Sequence, residues 1–471
     1  MGLMTDVARG RRPDTGPDEV AFRQFERLRR LVAEARANVP YYRQLFDRAG
    51  ISPGDIRSLD DLRRIPITSK RDLRMHPVEE LLSGRANRNG LQVIKTSGST
   101  GIPVTIYETR RESFLLHLIK LRTLRALGLR WRDRMLKVQN RGYVRRPQSW
   151  RALQKLGFLR QEDIHSDTPH EVAAALAGRT ADVLTGYTGN LVRVAQILAG
   201  RPDLKLKPRF IVGGSDTVIP MFRTRILSTF QAPFRDTYIC REAGMIAWEC
   251  PLSGRYHVED DHLIVEVLKD GLPAQPGEEG EVVVTSLVRW AMPFVRYRLD
   301  DLAVIARGDC PCGRRSAGFE RVSGKRQDYF WLPGGVEFNP WPISGLWLRR
   351  APWILQFELV QEEAAAIVLR VVPSFPPPPA EAAGLVEETR KMLGPGIDFR
   401  LEWAEEIRPG PDGKFRIHRS RVRSIYDESP AGDFPAPARR RGQSKMKRAA
   451  ATLPRKSLRY SGRRGSAGLN R

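Results

Sequence analysis

The chain has 471 residues, of which 41% are hydrophobic and 28% charged, and a formal net charge of +25. At roughly 150 residues per domain this is more than one ordinary core, and the balance is that of a globular protein able to bury a large interior. No apolar run approaches the roughly 18 residues of a membrane-spanning helix. The four cysteines, Cys240, Cys250, Cys310 and Cys312, are too few and too clustered for a secreted disulfide framework. The N-terminal residues carry no apolar segment of the signal-peptide kind, so the expected address is the cytoplasm.

In chain order, residues 19–36 place Phe22, Phe25, Leu28, Leu31 and Val32 at helical spacing, which predicts one face packed on the body. Short helices broken by Pro and Gly follow in VPYYRQLFDRAGISPGDIRSLDDLRRIPITSKRDLR. Next comes KTSGSTGIPVTIYE, whose glycines permit tight backbone curvature and whose hydroxyls and N–H groups suit phosphate oxygens. It lacks the Gly-Lys-Ser/Thr ending of a Walker A loop, and taken alone it also reads as a solvated hairpin. Beyond it, helical patterns alternate with β-rich runs at 183–184, 210–212, 263–267 and 281–285, and the alternation predicts an α/β architecture. Residues 19–324 form the expected large N-terminal domain and 325–328 a hinge. Residues 329–426 form a small α+β C-terminal domain containing QFELV, AIVLRVV, EAAGLVEETRKML and DFRLEWA.

Residues 427–471 read as a disordered basic tail. From position 431 onward, Arg439, Arg440, Arg441, Lys445, Lys447, Arg448, Arg455, Lys456, Arg459, Arg463, Arg464 and Arg471 face the single acid Asp433, nearly half of the excess charge. Such a segment cannot offset its ordering entropy by burial. It is either a solvated tail or a weak contact for an anionic partner, nucleic acid or membrane.

Six segments together resemble the phenylacetate-CoA ligase and coenzyme F390 synthetase family of adenylate-forming enzymes, including its capsule- and exopolysaccharide-cluster relatives. They are NVPYYRQLFDRAGI with SLDDLRRIPITSKRDLR, then TSGSTGIPV, then Tyr238-Ile-Cys-Arg-Glu242-Ala-Gly with its trailing Glu-Cys250. TSLVRWAMPFVRYRLDDLA, VSGKRQDYFWLPGGVEFNP and GPDGKFRIHRSRV complete the set. The resemblance covers roughly residues 20–425. It implies the adenylate-forming fold, with a large multi-sheet N-terminal domain and a small C-terminal lid. It also implies ATP, Mg²⁺ and coenzyme A as cofactors and a small-molecule carboxylic acid as substrate, in a monomer or homodimer.

By the same resemblance, Thr96, Ser97, Gly98, Ser99, Thr100 and Gly101 hold the pyrophosphate end of ATP, and Glu242 helps hold Mg²⁺. Asp301 accepts hydrogen bonds from the ribose, and Lys414 reaches the α-phosphate during adenylation. Gly214, Ser215, Tyr238 and Lys325 complete the nucleotide-binding set. Departures from the family pattern are Ile102 after the phosphate loop, Ile239 for the motif glycine, Arg241 before Glu242, Ser215 for an acid near adenine, and Lys325 for Arg. Arg241 favours the capsule-type branch and argues against phenylacetate itself as the acid.

Cys250 and His257, with Cys310-Pro-Cys312-Gly, form a donor set able to close a tetrahedral structural Zn²⁺; buried thiols beside a surface histidine are the other reading. Tyr187, Phe210 and Trp248 either line the acyl pocket or belong to the core. Two alternatives to an acid:CoA ligase stay open: an F390-type adenylyltransferase acting on a hydroxyl, and a non-catalytic homologue using the basic tail.

Overall fold

The computed structural model describes residues 16–95, 104–139, 148–157, 159–165, 169–215, 218, 220–325, 329–373, 375–407 and 416–422. Two compact units are distinguished, Met1–Gly432 and Asp433–Arg471. The basic tail lies outside the described residues, and every described element belongs to the first unit.

The first helix, Pro17–Asn38, begins with Pro at N1 and two acids in its first turn, and it ends at Val39, the residue before Pro40. Leu28, Leu31, Val32 and Ala35 are buried along one stripe. Phe22, expected on that stripe, is 66% exposed. Six positions before Leu28, it lies about 120° around the helix from the buried face. Gln24 fastens this helix to the body by donating to the carbonyls of Asp260 and Leu263, both at 3.0 Å.

The body contains two large sheets. One is parallel, in the spatial order Arg160–His165, Arg134–Gln139, Val183–Gly186, Phe210–Val212, Phe234–Arg235, with helices such as Thr188–Ala199 and Pro220–Phe230 between its strands. The other is antiparallel, in the order Leu272–Pro273, Leu263–Lys269, Glu279–Ser286, Tyr297–Ile305, Gly318–Lys325, Tyr256–Val258, Gly244–Glu249, Thr237–Cys240. Every β-rich run named from the sequence is a strand here. C-terminal to them, Ile354–Glu363 and Ala366–Pro373 pair antiparallel, flanked by Asp398–Trp403 and His418–Ser420 in parallel, and the helix Pro379–Leu393 joins the middle hairpin to its edge. The molecule is thus an α/β protein of several sheets. Among the described residues no helix is long and apolar enough to cross a membrane.

The N-terminal helices position the later strands. Tyr42 donates to the Pro293 carbonyl at 3.1 Å and accepts from the Val295 N–H at 2.9 Å. Thr68 brackets the next residues, its N–H reaching the Arg296 carbonyl and its carbonyl receiving the Arg298 N–H, both at 2.9 Å. Arg296, at φ 45°, makes a bidentate pair with Glu266 at 2.9 and 3.0 Å. Through Tyr42 and Thr68, the runs VPYYRQLFDRAGI and PITSKRDLR therefore hold residues 293–298, which lead into Asp301.

Candidate active site

Glu242 sits on a hairpin loop whose shape follows from its glycine. Strands Thr237–Cys240 and Gly244–Glu249 pair Cys240 with Gly244, which leaves Arg241, Glu242 and Ala243 as the loop. Gly244 has φ +79°, the left-handed residue that closes such a three-residue hairpin. A Cβ there would also lie 2.8 Å from Leu116 Cδ2, so the helix Arg110–Ala126 presses directly on the turn. Glu242 is buried and Arg241 exposed. Burial pushes the Cys240 thiol up, with Glu242 and Asp301 adding to the effect. Its sulfur accepts the Ala243 N–H at 3.2 Å.

Asp301 lies four strands away from this hairpin in the sheet order, which in a flat sheet is about 19 Å at about 4.8 Å per strand. Yet the Tyr238 hydroxyl donates to Asp301 Oδ2 at 2.6 Å. The sheet curls to bring its edge hairpin over Tyr297–Ile305. A register shift between Leu302 and Ala303 and a φ of 59° at Asp300 flank the carboxylate and set its aim. Burial and the Asp301 charge hold the Tyr238 phenol well above its ordinary range, so it is the proton donor of the pair. Tyr297 is raised by burial, then by Glu242 and Asp300. Glu242 and Asp301 thus share one buried neighbourhood.

The segment Gly213-Gly214-Ser215 lies along the same hairpin. Thr237 donates to the Gly213 carbonyl through its N–H at 3.1 Å and its hydroxyl at 2.7 Å. A Cβ on Gly214 would stand 2.4 Å from Thr237 Oγ1, so this position excludes side chains. Ser215 follows at φ 65°.

Cys250, His257, Cys310 and Cys312 converge, their donor atoms all within 4.8 Å of one another. The Cys250 and Cys310 sulfurs are 3.7 Å apart, close to the edge of about 3.8 Å that a tetrahedron of 2.3 Å Zn–S bonds requires. Cys312 Sγ lies 3.2 Å from His257 Nε2, and the other ring nitrogen of His257 meets Ser316 Oγ at 3.0 Å. That second contact orients the imidazole with Nε2 toward the sulfurs.

No protein-family profile matches the chain. Curated relatives do: it is 27% identical to the phenylacetate-coenzyme A ligase of Thermus thermophilus over 360 residues, 72% of this chain and 77% of that protein. With the phenylacetate-coenzyme A ligase of Escherichia coli it shares 27% over 333 residues, 67% of this chain and 74% of that one. Among solved structures, 2-hydroxyisobutyryl-CoA ligase in the postadenylation state has the same fold, at TM-score 0.70 and 20% identity, over 86% of this chain and 90% of that one. The chain is thus similar in sequence to phenylacetate-CoA ligases and has the fold of an adenylate-forming CoA ligase.

Within that family frame, the structure brings together Tyr238, Glu242, Asp301, Gly214 and Ser215. The phosphate loop Thr96 to Gly101, Ile102 and Lys414 lie outside the described residues, as does the side chain of Lys325, whose backbone pairs with Asp301. Phe210 and Trp248 belong to a core cluster with Leu121, Leu124 and Leu153, which places them in the interior.

Two features were not read from the sequence. Glu108, ending the strand Thr105–Glu108, pairs with buried Arg289 at 3.1 Å, and Arg289 donates to the Arg241 carbonyl at 2.6 Å. The strand that follows the phosphate loop is thereby tied to the Glu242 turn. Four residues on, Glu112 forms a capping box with Thr109 and also receives the Ala291 N–H at 2.9 Å. The second feature is the packing of His117 and Lys120 against Trp150.

Proposed function

We propose that this protein activates a carboxylic acid with ATP and transfers the acyl group to the thiol of coenzyme A. The carboxylate oxygen attacks the α-phosphorus and pyrophosphate leaves; the thiolate then attacks the acyl carbon and AMP leaves. The observation that carries this reading is the Tyr238–Asp301 hydrogen bond beside buried Glu242, which joins motif residues 63 apart in sequence through the curl of the sheet. The Asp301 carboxylate, oriented by the Tyr238 phenol, suits the paired hydroxyls of a ribose. Glu242, a buried carboxylate with a second acid close by, suits a hard cation such as Mg²⁺ held jointly with phosphate oxygens. Mg²⁺ would neutralise the charge that builds on the phosphoryl group. Lys414 and the Thr96 to Gly101 loop complete this assignment from the family pattern.

The experiment is ATP–pyrophosphate exchange across a panel of acids. Exchange that requires both an acid and Lys414 supports the reading. Acid-independent exchange, or an unchanged rate in Lys414→Ala, refutes it. A hydroxyl acceptor in place of the thiol would move the protein to the adenylyltransferase alternative.

We also infer that Cys250, His257, Cys310 and Cys312 hold a structural Zn²⁺. Three sulfurs and one imidazole fill a tetrahedron and leave no open position for a reacting water, so the ion would fasten the loop 306–317 to the hairpin behind Glu242. Elemental analysis checks it: one zinc per chain is expected, and less than stoichiometric zinc in Cys312→Ser.

A further inference from the structure

The turn between the strands Glu279–Ser286 and Tyr297–Ile305 is closed by the Ser286 N–H, which donates to the Phe294 carbonyl at 2.9 Å. Three consecutive residues on it, Arg289, Trp290 and Ala291, collect contacts from distant parts of the chain. Arg289 pairs with Glu108 at 3.1 Å. The N–H groups of Trp290 and Ala291 both donate to Glu112 Oε1, the second at 2.9 Å. From behind, the Ala291 carbonyl receives the Ser83 N–H at 2.9 Å. Two buried acids one helical turn apart thus grip adjacent residues of a single turn that is itself held on its other side.

Glu112 does more here than cap a helix. Its Oε2 closes the capping box, accepting from the Thr109 N–H at 2.7 Å and the Thr109 hydroxyl at 2.9 Å. Elsewhere in this chain the shorter aspartate fills that role, in the boxes Ser52–Asp55 and Ser69–Asp72. The longer side chain leaves Oε1 free of the cap to reach a segment 178 positions away. Every partner of this carboxylate is an N–H or O–H donor, so both of its atoms must be acceptors, and an amide would turn an NH2 group against a donor.

What Glu112 steadies is the element just before it. The strands Gln92–Lys95 and Thr105–Glu108 pair with each other in a sheet of their own. A two-stranded hairpin is marginally stable by itself, so its placement depends on what it is fastened to. Ile106, buried in the core, is one fastening, and the contacts of Glu108 and Glu112 with residues 289–291 are the other. The far end of the same turn leads into the strand that carries Asp301.

We propose that Glu112 is a positioning residue for the pyrophosphate end of ATP, fixing this two-stranded stem to the turn that leads to Asp301. The proposal rests on the ligase reading, in which residues 96–101 hold the pyrophosphate end and Asp301 the ribose. ATP then spans both parts at one set separation, whereas AMP needs only the Asp301 part. Loosening the stem weakens ATP and pyrophosphate and spares AMP.

The test uses the full chain, with ATP–pyrophosphate exchange for the reaction and calorimetric titration for ATP and AMP binding. Glu112→Asp keeps the charge and the cap but withdraws the second oxygen from residues 290 and 291. Glu112→Gln keeps an acceptor for the cap and sets a donor against those N–H groups. Each is expected to raise the KM for ATP and for pyrophosphate about tenfold, with the AMP dissociation constant held within about twofold, since one hydrogen bond to a charged group is lost. A general loss of structure would weaken ATP and AMP together, and that result, or no change in either, overturns the inference. Where Glu112→Gln fails to fold, Glu112→Asp decides. Wild type that exchanges with no acid refutes the ligase reading, while the split between ATP and AMP binding in the variants still settles the role of Glu112. Wild type that binds neither nucleotide removes both.

Discussion

The two sides of the Arg241-Glu242 turn are built on opposite plans. On the inner side, Glu242 and Asp301 are buried and Tyr238 is half-buried on one curled antiparallel sheet, and a hydrogen bond of 2.6 Å joins Tyr238 to Asp301. On the outer side the Arg241 side chain is exposed, and its carbonyl is held by Arg289 at 2.6 Å. On the proposed reading the inner side serves the nucleotide chemistry.

Asp301→Ala should separate the two sides most sharply. Loss of the buried carboxylate proposed to accept from the ribose, which also strands the Tyr238 hydroxyl, is expected to lower kcat/KM for ATP by about 1000-fold, or about 4 kcal/mol. The loss should be the same with every acid tested. An effect that varied with the acid would mean that the inner side reads the substrate as well.

Next in size is the tie between the sides. Glu108→Ala leaves Arg289 buried without its carboxylate and is expected to cost about 3 to 4 kcal/mol of stability. It should also loosen the Arg241 carbonyl that Arg289 holds. Chemical denaturation measures the first effect, and a rise in KM for both ATP and acid reports the second.

These cases also show what a sequence makes legible. The inner side was readable because Tyr238, Glu242 and Asp301 each stand inside a contiguous motif, and because strand periodicity locates the strands that carry them. The Cys-Pro-Cys turn was readable for the same reason. Glu108 and Arg289 were not, since their pairing joins positions 181 apart and depends on how the helix Arg110–Ala126 seats the turn. Nor was the packing of His117 and Lys120: Lys120 looks like an ordinary solvated lysine until the fold places it against Trp150. Phe22 shows the opposite error, an apolar residue near a helical stripe yet about 120° off it.

A smaller effect comes from Asp236, one residue before the strand that carries Tyr238. Burial raises its carboxyl to about 6, against which the Tyr256 hydroxyl donates to it at 2.6 Å. The folded protein therefore holds this proton more tightly than the unfolded chain does. Stability falls as pH rises from about 4 to about 6 and stays lower above that, by about 2 to 3 kcal/mol at this site. Asp236→Asn should flatten that segment of the profile of Tm against pH. Because Asp236 touches neither side of the turn, substrate preference should be unchanged, and a changed preference would extend the inner side one residue further.

Gly244→Ala tests the turn itself. The added methyl meets Leu116 at 2.8 Å, and the backbone at φ +79° disfavours any side chain, so a cost of about 1 to 2 kcal/mol is expected. The steric part is separable from the backbone part: Leu116→Ala in the same chain removes the contact and leaves the strain, so it should restore only a fraction of the stability. If the turn is one rigid unit that holds Glu242 inward and Arg241 outward, Gly244→Ala raises the KM for ATP and for the acid in equal proportion. A change in only one of them would mean that the two side chains are positioned independently, and that the contrast between the sides is drawn by their surroundings rather than by the turn between them.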